Sequence, residues 1–427
     1  MINWSKDYKQ TSELLDRFGS PLYVYDQAII ARQVEKYRAA FADFPVLVRN
    51  FFAVKALPNP AILRLLVDAG MGLDCSSIPE LELARMSGVC GENVIFTSNN
   101  TSDREFAAAV EAGAIINFDD INLVKRYLSS DFPLPEVAFC RYNPGDLELG
   151  ENSDIIGRPS EAKYGMPHDQ IAQAYKLLRD AGVKRFGLHT MLLSNETNHE
   201  FHEKIANSLF GLAAELSREL GIEFEAINLG GGFGVAYRPE QADFDIGKFA
   251  SDLAEIYRSA GLMEPCAPKI YTESGRWVTA DSGFLLTRVI NRKDTHRSYV
   301  GVDASMANLM RPGMYSAYHH IEVLSNRSDF NPEALETIDV VGSLCENNDK
   351  FAVQRQLPVT KPGDIMVIDT VGAHGHAMGF QYNGRLRSAE VLLSPNGPRL
   401  IRRAETADDH FATLKNLQGK ETNVSTN

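Results

Sequence analysis

Lys55 closes the apolar run Phe51-Phe52-Ala53-Val54, a run that should be buried, and lysine is seldom buried without a partner. A desolvated ammonium has a lowered pKa and becomes an amine nucleophile, suited to forming a Schiff base. Polar groups end further apolar runs: Asp74, Asn99 with Asn100, Asp119, Arg141, His189, then Gly230-Gly231-Gly232, and Glu273 with Arg276 three residues on. Asp74 and Asp119 read equally well as caps for the helices that follow them. Three glycines after an apolar run let backbone N–H groups approach an anion closely, as a phosphate requires, although such runs also occur in plain turns. Glu273 reads either as a structural ion-pair partner or as an acid facing a pyridine nitrogen. A Schiff-base lysine, a phosphate cradle and such an acid are together what pyridoxal phosphate requires.

The elements that must position these groups show a rhythm. Apolar runs at Phe51, Gly72, Val94, Ile115 and Val137 recur about every 22 residues, and continue more widely spaced near Phe186, Ile227 and Ile270. Between them lie helical patterns such as PAILRLLVDAG, PELELARMSG and DREFAAAVEAG, each closing on glycine. Long helices follow around HEFHEKIANSLFGLAAELSREL and FASDLAEIYRSA. Eight strands alternating with helices over roughly 230 residues predict an α/β fold, a (β/α)8 TIM-like barrel over residues 28–280. An open doubly wound sheet is the alternative, but eight units in one run favour closure. In such a barrel the strand C-termini carry the chemistry, which is where the polar groups fall. After Ser282, short β-rich runs (FLLTRVI, SYVGVDA, IEVLS, TIDVVGSLC, DIMVIDTVG, AEVLL, PRLIRR) predict a C-terminal all-β domain over 281–404, with residues 1–27 assigned to it. PLYVYD, ahead of the barrel, reads as a strand that could pair with the barrel. Residues 405–427 read as a flexible polar tail.

The 427 residues, 44% hydrophobic and 23% charged, are of ordinary globular composition. A net charge of −13 argues against nucleic acid or an anionic membrane as the main partner. No apolar run approaches the ~18 residues of a membrane span, and the start lacks the apolar stretch of a secretory signal. Five cysteines without CxxC spacing predict neither a disulfide framework nor structural zinc, and a cytoplasmic setting is expected. His199-x-x-His202, His319-His320 and His374-x-His376 lack acidic or cysteine ligands at suitable spacing, so no metal is expected.

The order AVKALPNP, LDCSS, SNNTS, GLH, NLGGGFG, ESGR, MRPGMYSAYH, VVGSLCENND and QYNGRLRSAEV resembles the pyridoxal-phosphate-dependent decarboxylases of basic amino acids, diaminopimelate decarboxylase above all, from about Pro21 to Leu393. The resemblance implies a barrel with a C-terminal β domain, and decarboxylation of an amino acid, most simply meso-diaminopimelate to L-lysine. It implies that Lys55 holds the cofactor covalently. It gives cofactor contacts to Asp74, His189, Ser194, Gly230, Gly231, Gly232, Glu273, Ser274, Gly275, Arg276 and Tyr382. Glu273 would keep the pyridine nitrogen protonated, strengthening the electron sink. Substrate contacts fall to Arg276, Arg311, Tyr315, Glu346 and Tyr382, with Cys345 as proton donor. Cys345 and Glu346 would reach a neighbouring subunit's site, implying a homodimer. As a residue alone, Cys345 reads as a buried apolar thiol in a strand.

Departures from the family pattern bear on the substrate. GLHTMLLS places Met191 where a histidine usually stacks on the cofactor ring, and Leu193 where glycine is usual. Ser274 stands for proline, His374 for tyrosine, and Ile78-Pro79 for paired glycines. A relative acting on another diamino acid or a conjugate in secondary metabolism would fit this pattern. A catalytically dead regulator would be expected to lose Lys55 or the glycine loop, and this chain keeps both.

Overall fold

The computed structural model describes residues 4–145, 147, 158–262 and 267–415, and the chain divides into two units, residues 29–280 and residues 1–28 with 281–427. The strands in chain order are β1 (Leu22–Asp26), β2 (Val48–Ala53), β3 (Gly72–Cys75), β4 (Val94–Thr97), β5 (Ile115–Phe118), β6 (Val137–Arg141), β7 (Arg185–His189), β8 (Phe224–Asn228) and β9 (Lys269–Thr272). There follow β10 (Gly283–Asp294), β11 (Ser298–Val302), β12 (Ile321–Leu324), β13 (Leu335–Val341), β14 (Lys350–Pro358), β15 (Ile365–Ile368), β16 (Ala389–Ser394) and β17 (Gly397–Arg402).

Strands β2 to β9 form a closed parallel barrel, sealed where Val48, Arg49 and Asn50 pair with Ile270, Tyr271 and Thr272. The helices between them end as their glycines require. Gly70, Gly88 and Gly113 follow the helices Pro60–Asp68, Ile78–Met86 and Asp103–Glu111 with φ of 91°, 83° and 65°, a region costly for residues with a Cβ. The barrel interior is a packed core of Phe51, Ile95, Ile115, Val137, Phe139, Ala226 and Tyr271. Tyr271 stacks on Phe139 with centroids 6.1 Å apart. Phe139 fits because β7 has Gly187 beside it, where a Cβ would lie 1.9 Å from the ring. The core thus closes the barrel floor and leaves chemistry to the strand C-termini.

The second unit is built on a nine-stranded sheet ordered β14-β13-β11-β10-β1-β16-β17, with β12 paired to β15 and β15 to β10. Here one expectation is corrected. β1, the PLYVYD strand, pairs antiparallel with β10 and parallel with β16, not with the barrel. The residues Leu22, Tyr23, Val24 and Tyr25 are all buried, as a strand in the middle of a sheet demands. The helix Tyr8–Phe18, capped by the Asp7 carboxylate on the Gln10 N–H, and strand β14 were not anticipated. In β14 the buried residues Phe351, Ala352 and Leu357 are diluted by Gln354, Arg355 and Gln356, which hides the alternation. In the segment read as a polar tail, Ala407–His410 and Ala412–Lys415 are short helices, the first with a Thr406–Asp409 capping box. Residues 416–427 and Cys266 lie outside the described residues.

Candidate active site

The barrel unit gathers its predicted polar groups at one rim. Lys55 lies just beyond β2, in the single helical turn Val54–Ala56. Its side chain is 53% exposed, with Nζ 3.8 Å from Asp74 Oδ2 at the end of β3. This corrects the expectation of a buried lysine: the strand ends at Ala53, and the turn carries the side chain out of the core.

Asp74 itself is buried. Burial first, then the nearby negative Glu273, push its carboxyl well above the ordinary range, and the exposed Lys55 ammonium only partly opposes them. Glu273, following β9, is also buried, which by itself would raise it. The facing His189 imidazole, through charge and hydrogen bond, together with Lys55 and Arg141 outweighs burial and holds the carboxyl down. Two neighbouring carboxyls are thereby driven in opposite directions, Asp74 upward and Glu273 downward, the arrangement expected of an acid–base pair in one site.

Glu273 is held on both oxygens. His189 Nε2 lies 3.2 Å from Oε2, and Asn228 Nδ2 donates to Oε1 at 2.8 Å. Asn228 Oδ1 in turn accepts the Gly230 N–H at 2.9 Å. The glycines of the loop are required by close approach of backbone. A Cβ on Gly231 would lie 2.6 Å from the Glu273 carbonyl oxygen, and Gly232 has φ +98° with the Leu193 carbonyl at 2.6 Å from its Cβ position. The loop after β7 runs alongside: the Glu196 N–H donates to the Gly232 carbonyl and the Gly234 N–H to Glu196. This lacing brings the segment that carries Ser194 next to the glycine loop. Leu193, in place of the family's glycine, packs into a cluster with Leu192, Ile205 and Phe201. Met191 turns its sulfur to the loop, and Sδ accepts the Gly231 N–H at 3.1 Å.

Beyond Glu273, Ser274 and Gly275 are tied back to β2. Asn50 accepts the Ser274 N–H at 2.8 Å and donates to its carbonyl at 3.0 Å, while Gly275 leaves room for Ala56, whose Cβ would lie 2.7 Å away. Arg276 is buried and donates to the Tyr237 hydroxyl at 2.6 Å. Around the rim, Arg141 meets Asp119 at 3.3 Å and covers the Tyr164 ring at 4.6 Å. Asn228, Asn50, Tyr237 and Tyr164 were missed. Asn228 had a legible signal, a polar group ending an apolar strand, though a fainter one than the three glycines that follow Leu229. Tyr237 and Tyr164 stand in loops and had none.

These residues fit pyridoxal phosphate. Among the described residues, His189 Nδ1, Asp74 Oδ1 and Ser274 Oγ are buried without a hydrogen-bond partner, so the rim holds polar capacity that its own protein groups leave unused. The glycine loop adds backbone donors without side chains.

The other predicted residues belong to the β unit. Arg311 is buried in the helix Arg311–Tyr315, its Nε 3.4 Å from His319 Nε2. Glu346 and Tyr382 line a cavity of about 520 Å³ with Met306, Met314, Leu344 and Phe380. Cys345 is exposed, not the buried strand thiol that composition alone suggests, and its N–H donates to Asn383 Oδ1 at 2.8 Å.

The paired histidines share no site. His202 is buried against Phe233, Phe244 and Phe249, while His199 meets Glu203 at 2.6 Å and Asp252 at 3.8 Å. The sequence reading overlooked these acidic neighbours, one of them a helical turn away. Lys248 also pairs with Asp252, making the group an ion-pair network. His319 is committed to Arg311 and the Asp369 carbonyl, and His376 to Ser388 and Arg387.

Residues 27–280 match the family model described as pyridoxal-dependent decarboxylase, pyridoxal binding domain. The chain is 43% identical over 404 residues to Protein TabA of Pseudomonas amygdali pv. tabaci, covering 94% of this chain and 93% of that one. It is 34% identical to a diaminopimelate decarboxylase of Methanothermobacter thermautotrophicus, over 93% and 92% of the two chains. Among solved structures, it is similar to diaminopimelate decarboxylase from Helicobacter pylori complexed with L-lysine, with a TM-score of 0.85, 27% identity and coverage of 95% and 99%.

Proposed function

The chain belongs to the pyridoxal-dependent decarboxylases, enzymes that use pyridoxal phosphate to decarboxylate amino acids, and from that premise we propose that its substrate is meso-diaminopimelate and its product L-lysine. The observation that carries the reading is the convergence, at one barrel rim, of Lys55, Asp74, His189, the glycine loop and Glu273. The bound cofactor supplies an electron sink for the charge left when CO2 departs. Lys55 would provide the amine that holds it, and the glycine loop, Ser194 and Arg276 would hold its phosphate, a role the resemblance extends to Tyr382. Glu273, kept ionised, holds a proton at the ring nitrogen. Asp74, its carboxyl pushed up by burial and by Glu273, resists adding a second negative charge beside it. Two arginines, Arg276 and Arg311, suit a substrate with two carboxylates, since a guanidinium grips a carboxylate through paired hydrogen bonds. Each is oriented by a neighbour, Tyr237 and His319 respectively. Cys345, exposed on its loop, returns a proton to the α-carbon in the site of a second subunit, and Glu346 meets the distal amine there. The reaction belongs in the cytoplasm, in keeping with four described cysteines free of disulfides.

A second reading has an observation of its own. The relative at 43% identity bears a name that states no substrate, whereas the diaminopimelate decarboxylase stands at 34%. Together with Met191, Leu193, Ser274 and His374, this favours a related carboxylated diamino acid or a conjugate of one in secondary metabolism.

Two measurements test the proposal. Borohydride reduction of the protein with its cofactor should attach the label at Lys55, and Lys55→Ala should abolish it; a stable adduct on another lysine overturns the site. CO2 release from a panel of diamino acids then ranks the substrates. A preference for meso-diaminopimelate of at least tenfold is expected, and a larger preference for a conjugate would transfer the chain to the second reading.

A further inference from the structure

We propose that Asn228 is a positioning residue that keeps Glu273 ionised and aimed, by locking its carboxylate to the glycine loop. Asn228 ends β8 with no exposure to solvent, and each end of its amide has one partner. The Gly230 N–H, 2.9 Å away, can only donate, so the amide oxygen must face it. That leaves the NH2 group facing Glu273 Oε1 at 2.8 Å. An NH2 group can only donate, so this contact is favourable when Oε1 carries no proton. Glu273 is tied to the same glycine a second time, its backbone N–H donating to the Gly230 carbonyl at 2.7 Å. One side chain, its own orientation dictated by the backbone of the loop, thus aims the carboxylate and favours its ionised form alongside His189. The consequence for catalysis rests on the reading that Glu273 meets the ring nitrogen of the cofactor.

Asn228→Asp tests this with little change of shape. The new carboxylate still accepts the Gly230 N–H but sets two acidic groups at hydrogen-bond distance, which then share one proton. In the reconstituted enzyme, kcat at pH 7 should fall at least tenfold with KM changed less than threefold. Activity should climb again as pH rises through a new ionisation that the wild type lacks, because alkali removes the shared proton. The absorbance of the bound cofactor should titrate with the same new midpoint. Asn228→Asp/Glu273→Gln restores one donor and one acceptor across the contact, so it should recover the melting temperature lost by Asn228→Asp without recovering kcat. Should Asn228→Asp fail to fold, Asn228→Ala should still lower kcat at least tenfold with no new ionisation. Asn228→Asp with the wild-type pH profile, or Asn228→Ala with kcat within twofold of wild type, overturns the role of Asn228. Glu273→Gln separates the two ideas. It should cost several orders of magnitude in kcat, and if it keeps wild-type kcat, the assignment of Glu273 fails whatever the Asn228 variants do.

Discussion

Met191 shows how a single substitution within a family pattern is absorbed. Where the resemblance puts a histidine over the cofactor ring, the thioether instead accepts the Gly231 N–H at 3.1 Å, and a Cβ on Gly230 would lie 3.0 Å from the same sulfur. The sulfur is a weak acceptor, so an incoming phosphate can displace it. Met191→Leu keeps the bulk and removes the acceptor. The apoprotein should lose about 0.5–1 kcal/mol, the scale of one modest hydrogen bond. Cofactor affinity, followed by absorbance titration, should rise about two- to fivefold because the N–H no longer has a competing partner. Unchanged or weaker affinity would mean the sulfur serves the ring and not the loop. The same scale explains why Lys55 was misjudged: its type was legible, but its exposure depended on where β2 stops.

The helix His199–Leu220 and the glycine loop are joined through His202, which is buried and packed on Phe233, the residue next to Gly232. Burial holds this imidazole down to about 3. An unfolded histidine titrates near 6.5, so between these values the unfolded chain binds the extra proton and stability falls as pH falls. The loss starts near pH 6.5 and is complete near pH 3. At pH 4.5 it should amount to about 2–3 kcal/mol, at roughly 1.4 kcal/mol per pH unit. His202→Phe, which keeps an aromatic ring in the cluster, should flatten this part of the profile. The check is the urea midpoint of both proteins at pH 7 and pH 4.5, and parallel losses would show that other groups dominate. In sequence, His202 stood in a closely spaced histidine pair for which no metal was expected. The three-residue spacing put both histidines on one helix, but only the surrounding phenylalanines decided that one of them is core.

For the whole molecule, the proposed function divides the chemistry between two subunits. Lys55 belongs to the barrel unit, and Cys345 and Glu346 to the β unit, the two acidic and thiol groups lying on an exposed loop. In a two-fold dimer a self-complementary surface would supply both sites at once. Lys55→Ala and Cys345→Ala should each be nearly inactive. Mixed in equal amounts and allowed to exchange, half of the dimers are heterodimers with one native site of two, so about one quarter of wild-type activity should return. Exchange confirmed by a mass tag without recovered activity would remove Cys345 and Glu346 from the shared site.

Much of the barrel was legible because its determinants are local. Strand and helix periods, glycines at helix ends and polar residues at strand ends all act within a few residues, and the closed barrel follows from repeating them eight times. The polar rim was legible for the same reason: one rule about strand ends picks out Lys55, Asp74, His189 and Glu273, the residues proposed for the site. Partnership across the chain was not local. That β1 joins β10 and β16, that Asn50 ties β2 to Ser274, and that His202 belongs to a phenylalanine cluster depended on which elements came to lie side by side. The ionisation of Glu273 was of the same kind. Sequence supplied a carboxyl group, and its setting was decided by an imidazole from β7 and an amide from β8, groups that the pairing of β7, β8 and β9 brings within hydrogen-bonding distance.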